Sequence, residues 1–249
     1  MRTFLIIFQI LLLFTACRKK LPIFQHVACK PPAQKVNNNL HRVFKPCRQY
    51  IFHAVYSDDK NKLISDEYIW LMATGAGWQY QPESQDEVVI QYDFDTTRID
   101  WVNQFSLNAK LSTKNWVRQE VTGVIENGQK TWMHPFRSNQ YVFTEVAAFP
   151  MVKFPMKTGE TWEGNLNIHQ GWGKWSDTTI KNKYEVIGYE TVETEFKVLN
   201  AWHVRGKTLA EFGHSTHDFW YNKDFGFIKM LVKNYENQTL AIELSAVKE

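Results

Sequence analysis

Cysteine is scarce in this chain, with three residues at positions 17, 29 and 47. Three thiols cannot build a four-cysteine zinc site, and no HExxH pair or Asp/Asn-rich calcium loop takes its place. No serine sits in a GxSxG turn, and no glycine-rich phosphate loop occurs; TGAG at 74–77 reads as a turn. The sequence thus points to no cofactor, and nothing in it marks an enzyme. Charge of one sign is missing too. The formal net charge is +3, one unit of it from Arg2, and lysines and arginines are scattered among acidic residues from 57 onward. That excludes the basic patch expected of a nucleic-acid binder. No long stretch carries an apolar i, i+3, i+4, i+7 stripe, so helices should be few. No repeat of fixed length is visible, which argues against a propeller.

What is present begins at the first residue. Arg2 precedes an apolar run from Phe4 to Phe14, broken only by Gln9, and Thr15-Ala16 then lead into Cys17. A charged n-region, a short h-region and a small-residue exit are the layout of a secretory signal. The Phe-Thr-Ala-Cys ending resembles a bacterial lipobox, with Phe14 where lipoboxes usually carry Leu. The resemblance implies removal of residues 1–16 and lipidation of the Cys17 thiol. An uncleaved anchor stays open as the alternative. The run is shorter than the about 20 residues of a spanning helix, but Arg18-Lys19-Lys20 would serve as a stop-transfer cluster. With a lipid on Cys17, the same three cations would add attraction to anionic headgroups. The expected location is the cell envelope, tethered to a membrane and, with no acidic residue just after Cys17, facing the periplasm.

Residues 17–48 read as a lipidated cysteine and flexible spacer, containing Pro22, Pro31, Pro32 and an Asn run at 37–39. Cys29 and Cys47 remain as a pair in an exported chain and are the candidate disulfide, the alternative being two free thiols in a loose leader.

From 49 to 249 the pattern is that of one β domain. Tyr50–Tyr56, Tyr68–Ala73 and Val88–Phe94 are short apolar or aromatic runs separated by SDDKN, GAG and PESQDE breaks. Asn127-Gly128 sits between two such runs as a hairpin tip. Between 184 and 204, Tyr184, Val186, Val192, Phe196, Val198, Trp202 and Val204 share one parity. Charged residues such as Glu185, Glu193, Lys197 and Arg205 share the other, which is the alternation of an antiparallel sheet with one dry face. Three closing strands follow, with turns at 222–224 and 234–238. About a dozen strands at this spacing predict a mainly β fold, a large antiparallel sheet curled into an open or closed barrel.

Ten Trp, ten Tyr and seventeen Phe suit such a sheet and also suit ligand stacking. The segment from Trp132 to Trp175 is the most unusual. Pro135, Pro150 and Pro155 cannot donate to a ladder, so it should consist of loops and edges. Its His134, Arg137, His169, Trp172 and Trp175 are the candidate ligand-binding residues, Arg137 for an anionic group and the indoles for a sugar or acyl chain. The bland alternative is that these aromatics plug a barrel end. His214, His217 and Asp218 have metal-ligating chemistry, but on a strand an i, i+3 pair points to opposite faces, so no metal is expected.

The ending HDFWYNKDFGFIKM, with FPMKTGETW before it, resembles uncharacterised bacterial envelope lipoproteins in which a Gly-Phe strand closes a lipocalin-like or half-barrel sheet. The resemblance implies fold and no substrate. Two readings of function follow. One is a membrane-anchored barrel holding an apolar or amphipathic ligand, such as a lipid or glycolipid, with Tyr184, Phe196 and Trp202 on its walls. The other is an interaction or scaffold protein that docks on glycan or a membrane protein through aromatic loops.

Overall fold

The computed structural model describes residues 24–29, 43–107, 116–170 and 172–249. The signal segment and Cys17 lie outside the described residues.

Twelve strands form one antiparallel sheet. In chain order they are β1 (Gln49–Ser57), β2 (Leu63–Gly77), β3 (Asp86–Asp93), β4 (Gln119–Glu126), β5 (Lys130–Met133) and β6 (Met151–Lys153). After these come β7 (Thr161–Ile168), β8 (Thr178–Glu193), β9 (Val198–Ala210), β10 (Gly213–Asn222), β11 (Gly226–Lys233) and β12 (Thr239–Lys248). Among the described residues the helical structure is one short α-helix, α1 (Ile99–Asn103), and three 3-10 segments. The sheet order is β6-β5-β4-β3-β2-β1-β12-β11-β10-β9-β8-β7. The chain meanders from the centre to one edge, crosses to the other, and meanders back until β12 pairs with β1.

The crossing fixes the curvature. Only residues 154–160 join the end of β6 to the start of β7. Seven residues reach at most about 25 Å, so the two edges of a twelve-stranded sheet must face each other. The sheet is curled but not closed. Across the seam, the Lys153 ammonium stands 5.9 Å from the Trp162 ring.

Alternation decides what each face does. Tyr50, Phe52, Ala54 and Tyr56 on β1, Ile69 and Leu71 on β2, and Phe219 and Tyr221 on β10 all belong to one buried cluster. The concave side they line is filled by the chain itself. Residues 134–150 fold across it, and every residue from Asn139 to Val146 is buried. Phe143 stacks on Tyr56 at 5.2 Å, Phe136 packs on Phe52 at 5.2 Å, and Tyr141 lies 6.1 Å from Tyr92. Pro135 and Pro150 flank this plug, where their missing N–H groups leave no ladder position empty.

The convex side carries a second, smaller cluster of Ile51, Tyr68, Trp70, Met72 and Val89. Phe24 and Val27 cover it, with Phe24 stacked on Trp70 at 6.2 Å. Gln25 adds a reciprocal pair: its N–H donates to Gln91 Oε1 (2.8 Å), and Gln91 Nε2 donates back to its carbonyl (3.0 Å). Cys29 and Cys47 are bridged, with Cα atoms 5.3 Å apart. Residues 24–29 of the expected flexible spacer are therefore laid on the sheet.

The parity predicted from sequence is buried at Tyr184, Val186, Val192 and Val204 but is interrupted between them. A bulge falls between Val186 and Gly188, and residues 194–197 make a tight turn that the alternation had run straight through. Tyr184 and Val186 are buried, whereas Val198 of the same parity is 61% exposed.

Candidate functional site

Local chemistry sets the position of His134 and Arg137, which the structure brings together at the start of the plug. Arg137 Nη1 lies 3.0 Å from His134 Nδ1 and donates to Glu145 Oε1 at 2.7 Å. Its Nη2 donates to Thr122 Oγ1 at 3.3 Å, and Glu120 Oε2 is 3.9 Å from its Nε. The guanidinium is thus held between two carboxylates of the plug and β4 and ties one to the other. His134 sits among Trp78, Trp132 and Phe149. Burial, with the Arg137 charge beside it, lowers its pKa to about 3, so the ring is neutral. Burial raises the Glu145 carboxyl, and Arg137 opposes that rise.

His169, Trp172 and Trp175 lie on a different segment, the turn between β7 and β8. His169 is exposed. Trp172 is half-buried, and its N–H donates to Ser176 Oγ (2.8 Å). Trp175 is fully buried, with Nε1 donating to Tyr235 OH at 3.0 Å and its ring near Phe212. Trp175 is a core residue here, which is the bland alternative weighed for these aromatics.

The three residues with metal-ligating chemistry diverge, as strand geometry requires. His214 is exposed. His217 points inward and its Nδ1 lies 2.7 Å from the Ala148 carbonyl oxygen. Asp218 points outward to His203 Nε2 and Arg205 Nε, both at 2.7 Å. Those two partners hold the Asp218 carboxyl below its usual range against the opposing effect of burial. Among the described residues no three His, Cys, Asp or Glu side chains converge for a metal.

Among the described residues a groove of about 420 Å3 lies on the convex side beside Phe24, Val27 and Trp70, and two more openings border the plug and the seam. Toward one end of the strands, a cleft of about 360 Å3 is lined by Asp66, Glu67, Asp93, Asp95 and Arg98 among others. Burial raises Glu67 to about 7, although Gln140 Nε2 and Tyr141 OH donate to it. Those donors belong to the plug, so Glu67 is part of how the plug is seated.

At the other end, beside the seam, an apolar groove of about 530 Å3 stays open. Phe154, Pro155 and Met156 of the β6–β7 connection form one wall, and Tyr189, Trp202, Tyr221 and Lys223 form the other. The Phe154–Pro155 bond is cis, and the Phe154 N–H donates to Gln129 O at 2.8 Å, which fixes the wall to the β4–β5 hairpin. Phe154 packs on Tyr221 at 5.7 Å, and Tyr189 on Trp202 at 5.2 Å. Tyr221 OH pairs with Thr131 Oγ1 at 3.1 Å, and burial pushes its pKa up to about 12. Sequence reading pointed at Trp202 and at the FPM element, but not at Tyr189 or Tyr221. The bulge after Val186 is what turns Tyr189 onto the Trp202 side, and no residue type announces it.

No protein-family profile matches the chain, and no curated protein matches it. Solved structures give likenesses of arrangement. An exported protein with a YmcC-like fold from Bacteroides fragilis is 14% identical, with a TM-score of 0.47, over 81% of this chain and 95% of that one. A lipoprotein from Parabacteroides distasonis is 11% identical, with a TM-score of 0.47, over 84% of this chain and 98% of that one. The hypothetical lipoprotein YmcC of Escherichia coli is 8% identical, with a TM-score of 0.33, over 78% and 85%. At such identities, and with TM-scores below 0.5, none of these carries a functional conclusion.

Proposed function

We propose that this chain is a lipid-anchored envelope protein that docks a partner through the groove beside the seam. The observation that carries the reading is the contrast on the concave side. The middle of that side is filled by residues 134–150, while Tyr189, at 59% exposure, and Trp202 face an open apolar groove at its end. In that middle the side chains of residues 134–150 occupy the place that a carried ligand would need. An unfilled aromatic groove with one lysine among its walls is the kind of concavity that recognition uses. The anchor rests on the signal layout and Cys17. A basic triplet after it and the convex-side seat of Phe24 agree with a body kept near the membrane.

Native mass spectrometry of the full chain released from its membrane tests both parts. Acyl mass on Cys17 after loss of residues 1–16 is the expected covalent form, and Cys17→Ser should leave the membrane fraction. A co-purifying macromolecule lost in Met156→Lys supports docking through the groove. A co-purifying small apolar molecule, lost in the same variant, would replace docking with the carrier reading.

A further inference from the structure

The β8–β9 hairpin runs past its neighbour. Pairing of β7 with β8 ends at Thr161 opposite Glu185, and the last bonds on that side join Val186 to Gly159 and Glu160. Beyond them β8 continues to Glu193, paired with β9 alone. The Thr194 N–H donates to Lys197 O, which closes the hairpin and sets which groups face inward. In an antiparallel ladder bonded and non-bonded pairs alternate. Val192 and Glu190 therefore bond toward β9, and the main-chain groups of Tyr189, Thr191 and Glu193 point away from it. Among the described residues no hydrogen bond reaches that edge.

This free edge borders the groove. Tyr189 and Trp202 are cross-strand partners on the groove side of the overhang, and Phe154, Pro155 and Met156 face them across the seam. Lys223 is the one charged side chain among the lining residues; its side chain is 82% exposed and its ammonium stands 3.8 Å from Asp224 Oδ1, a loose surface pair that a second carboxylate can share. Lys153 and Lys157, both exposed, flank the Phe154–Met156 wall.

We propose that the overhanging edge of β8 and the groove beside it together receive an extended polypeptide segment, added as a strand along Tyr189–Glu193. Alternate apolar side chains of that segment lie on Tyr189, Trp202 and Met156, and an acidic residue faces Lys223. The proposal rests on the docking reading and names its partner class. An amide-bearing edge is what separates a polypeptide from a lipid: an acyl chain fills an apolar groove but satisfies no N–H or C=O group. An exposed edge is a template for strand addition, which draws affinity from main-chain bonds and specificity from alternate side chains. Lys153, Lys157 and Lys223 favour an acid on the side of the segment that faces the Phe154–Met156 wall, while Glu190 and Glu193 on β8 disfavour one on the other side.

The test pans a phage-displayed random heptapeptide library against the full lipidated chain in nanodiscs. Enriched sequences should alternate apolar and polar residues and carry an acid. The best of them is then synthesised and its affinity measured by fluorescence anisotropy. Thr191→Pro deletes one outward N–H without touching a bond to β9, and should weaken binding about tenfold. Thr191→Ala keeps that N–H and should change binding less than about twofold, although it loses the hydroxyl that donates to Asn200. Tyr189→Ser and Lys223→Glu should each weaken it. In the unaltered chain, the peptide should slow hydrogen exchange at the Tyr189, Thr191 and Glu193 amides, a readout that stands even if Thr191→Pro folds poorly. No enrichment, binding unchanged in folded Thr191→Pro, or unprotected amides would each overturn strand addition. If strand addition fails while the macromolecule found by native mass spectrometry still depends on Met156, docking survives and its partner is not an extended peptide.

Discussion

A Cβ placed on Gly206 would lie 2.5 Å from the Cβ of Ala148. Gly206 is on β9 and Ala148 is at the end of the plug, so the filled concave side comes close against the sheet here. The adjoining bond from His217 to the Ala148 carbonyl holds the approach. Gly206→Ala should therefore destabilise the fold by about 1–3 kcal/mol, because neither Cβ belongs to a flexible side chain that can move aside. Gly188→Ala meets nothing within 4 Å and serves as the control. Urea unfolding of both variants should show a lowered midpoint for the first only.

The same contact makes the plug sensitive to acid. Burial depresses His217 to about 4, and the Ala148 carbonyl and Asp218 only partly oppose it. An unfolded imidazole titrates near 6.5, so between pH 6.5 and 4 the unfolded chain binds the extra proton. The stability that neutral His217 contributes is fully present above pH 6.5 and is lost as pH falls toward 4, by at most about 3 kcal/mol. His134 adds to the trend with the same sign. Unfolding midpoints measured from pH 8 to 4 should fall in the unaltered chain and fall less in His217→Gln.

Glu67 works in the opposite direction. Its folded pKa, about 7, is above the usual carboxyl value of 4.5 because it is buried against the plug. Its contribution is present below pH 4.5 and is lost as pH rises through 7. Glu67→Gln keeps an acceptor for Tyr141 but never ionises. It should gain on the unaltered chain by about 1–2 kcal/mol between pH 4.5 and 8, part of the burial effect being offset by solvent at the cleft. A pH-independent difference between the two chains would remove Glu67 ionisation from the account.

Much of this architecture was legible because period-two alternation and turn residues are local signals. The first three strands, the Asn127-Gly128 turn and the last three strands fall where the residues put them. The pairing of β1 with β12 was not legible, and although a plug was one of the two readings of 132–175, its contacts with Phe52, Tyr56 and Tyr92 were not, since all join residues far apart in sequence. For the site, prolines marked parts of 132–175 as loops or edges, β6 and β7 are the two edge strands, and Phe154 to Met156 form a groove wall between them. They could not say that Trp175 and Arg137 would be drawn into packing and ion pairs, because the partners Tyr235, Glu120 and Glu145 are set by tertiary contact.

The bridge from Cys29 to Cys47 joins residues 18 apart and connects the convex-side strap to the start of β1. By chain entropy alone a loop of that length is worth about 3 kcal/mol. Removing it has a second effect that a simple cross-link would not have. The Phe24–Trp70 stack and the Gln25–Gln91 pair lie just before Cys29, so in Cys29→Ser/Cys47→Ser they must be held by their own contacts. One aromatic stack contributes about 0.5–1.5 kcal/mol, less than the cost of ordering six residues at about 1–2 kcal/mol each. The strap should then leave the convex side, and Trp70, buried in the bridged chain, should become open to quenching by iodide. The double variant is expected to lose about 3 kcal/mol in urea and to gain Trp quenching before global unfolding. Phe24→Ala with the bridge intact should gain quenching with little loss of stability. Equal quenching in all three chains would mean that residues 24–29 stay on the sheet without the disulfide.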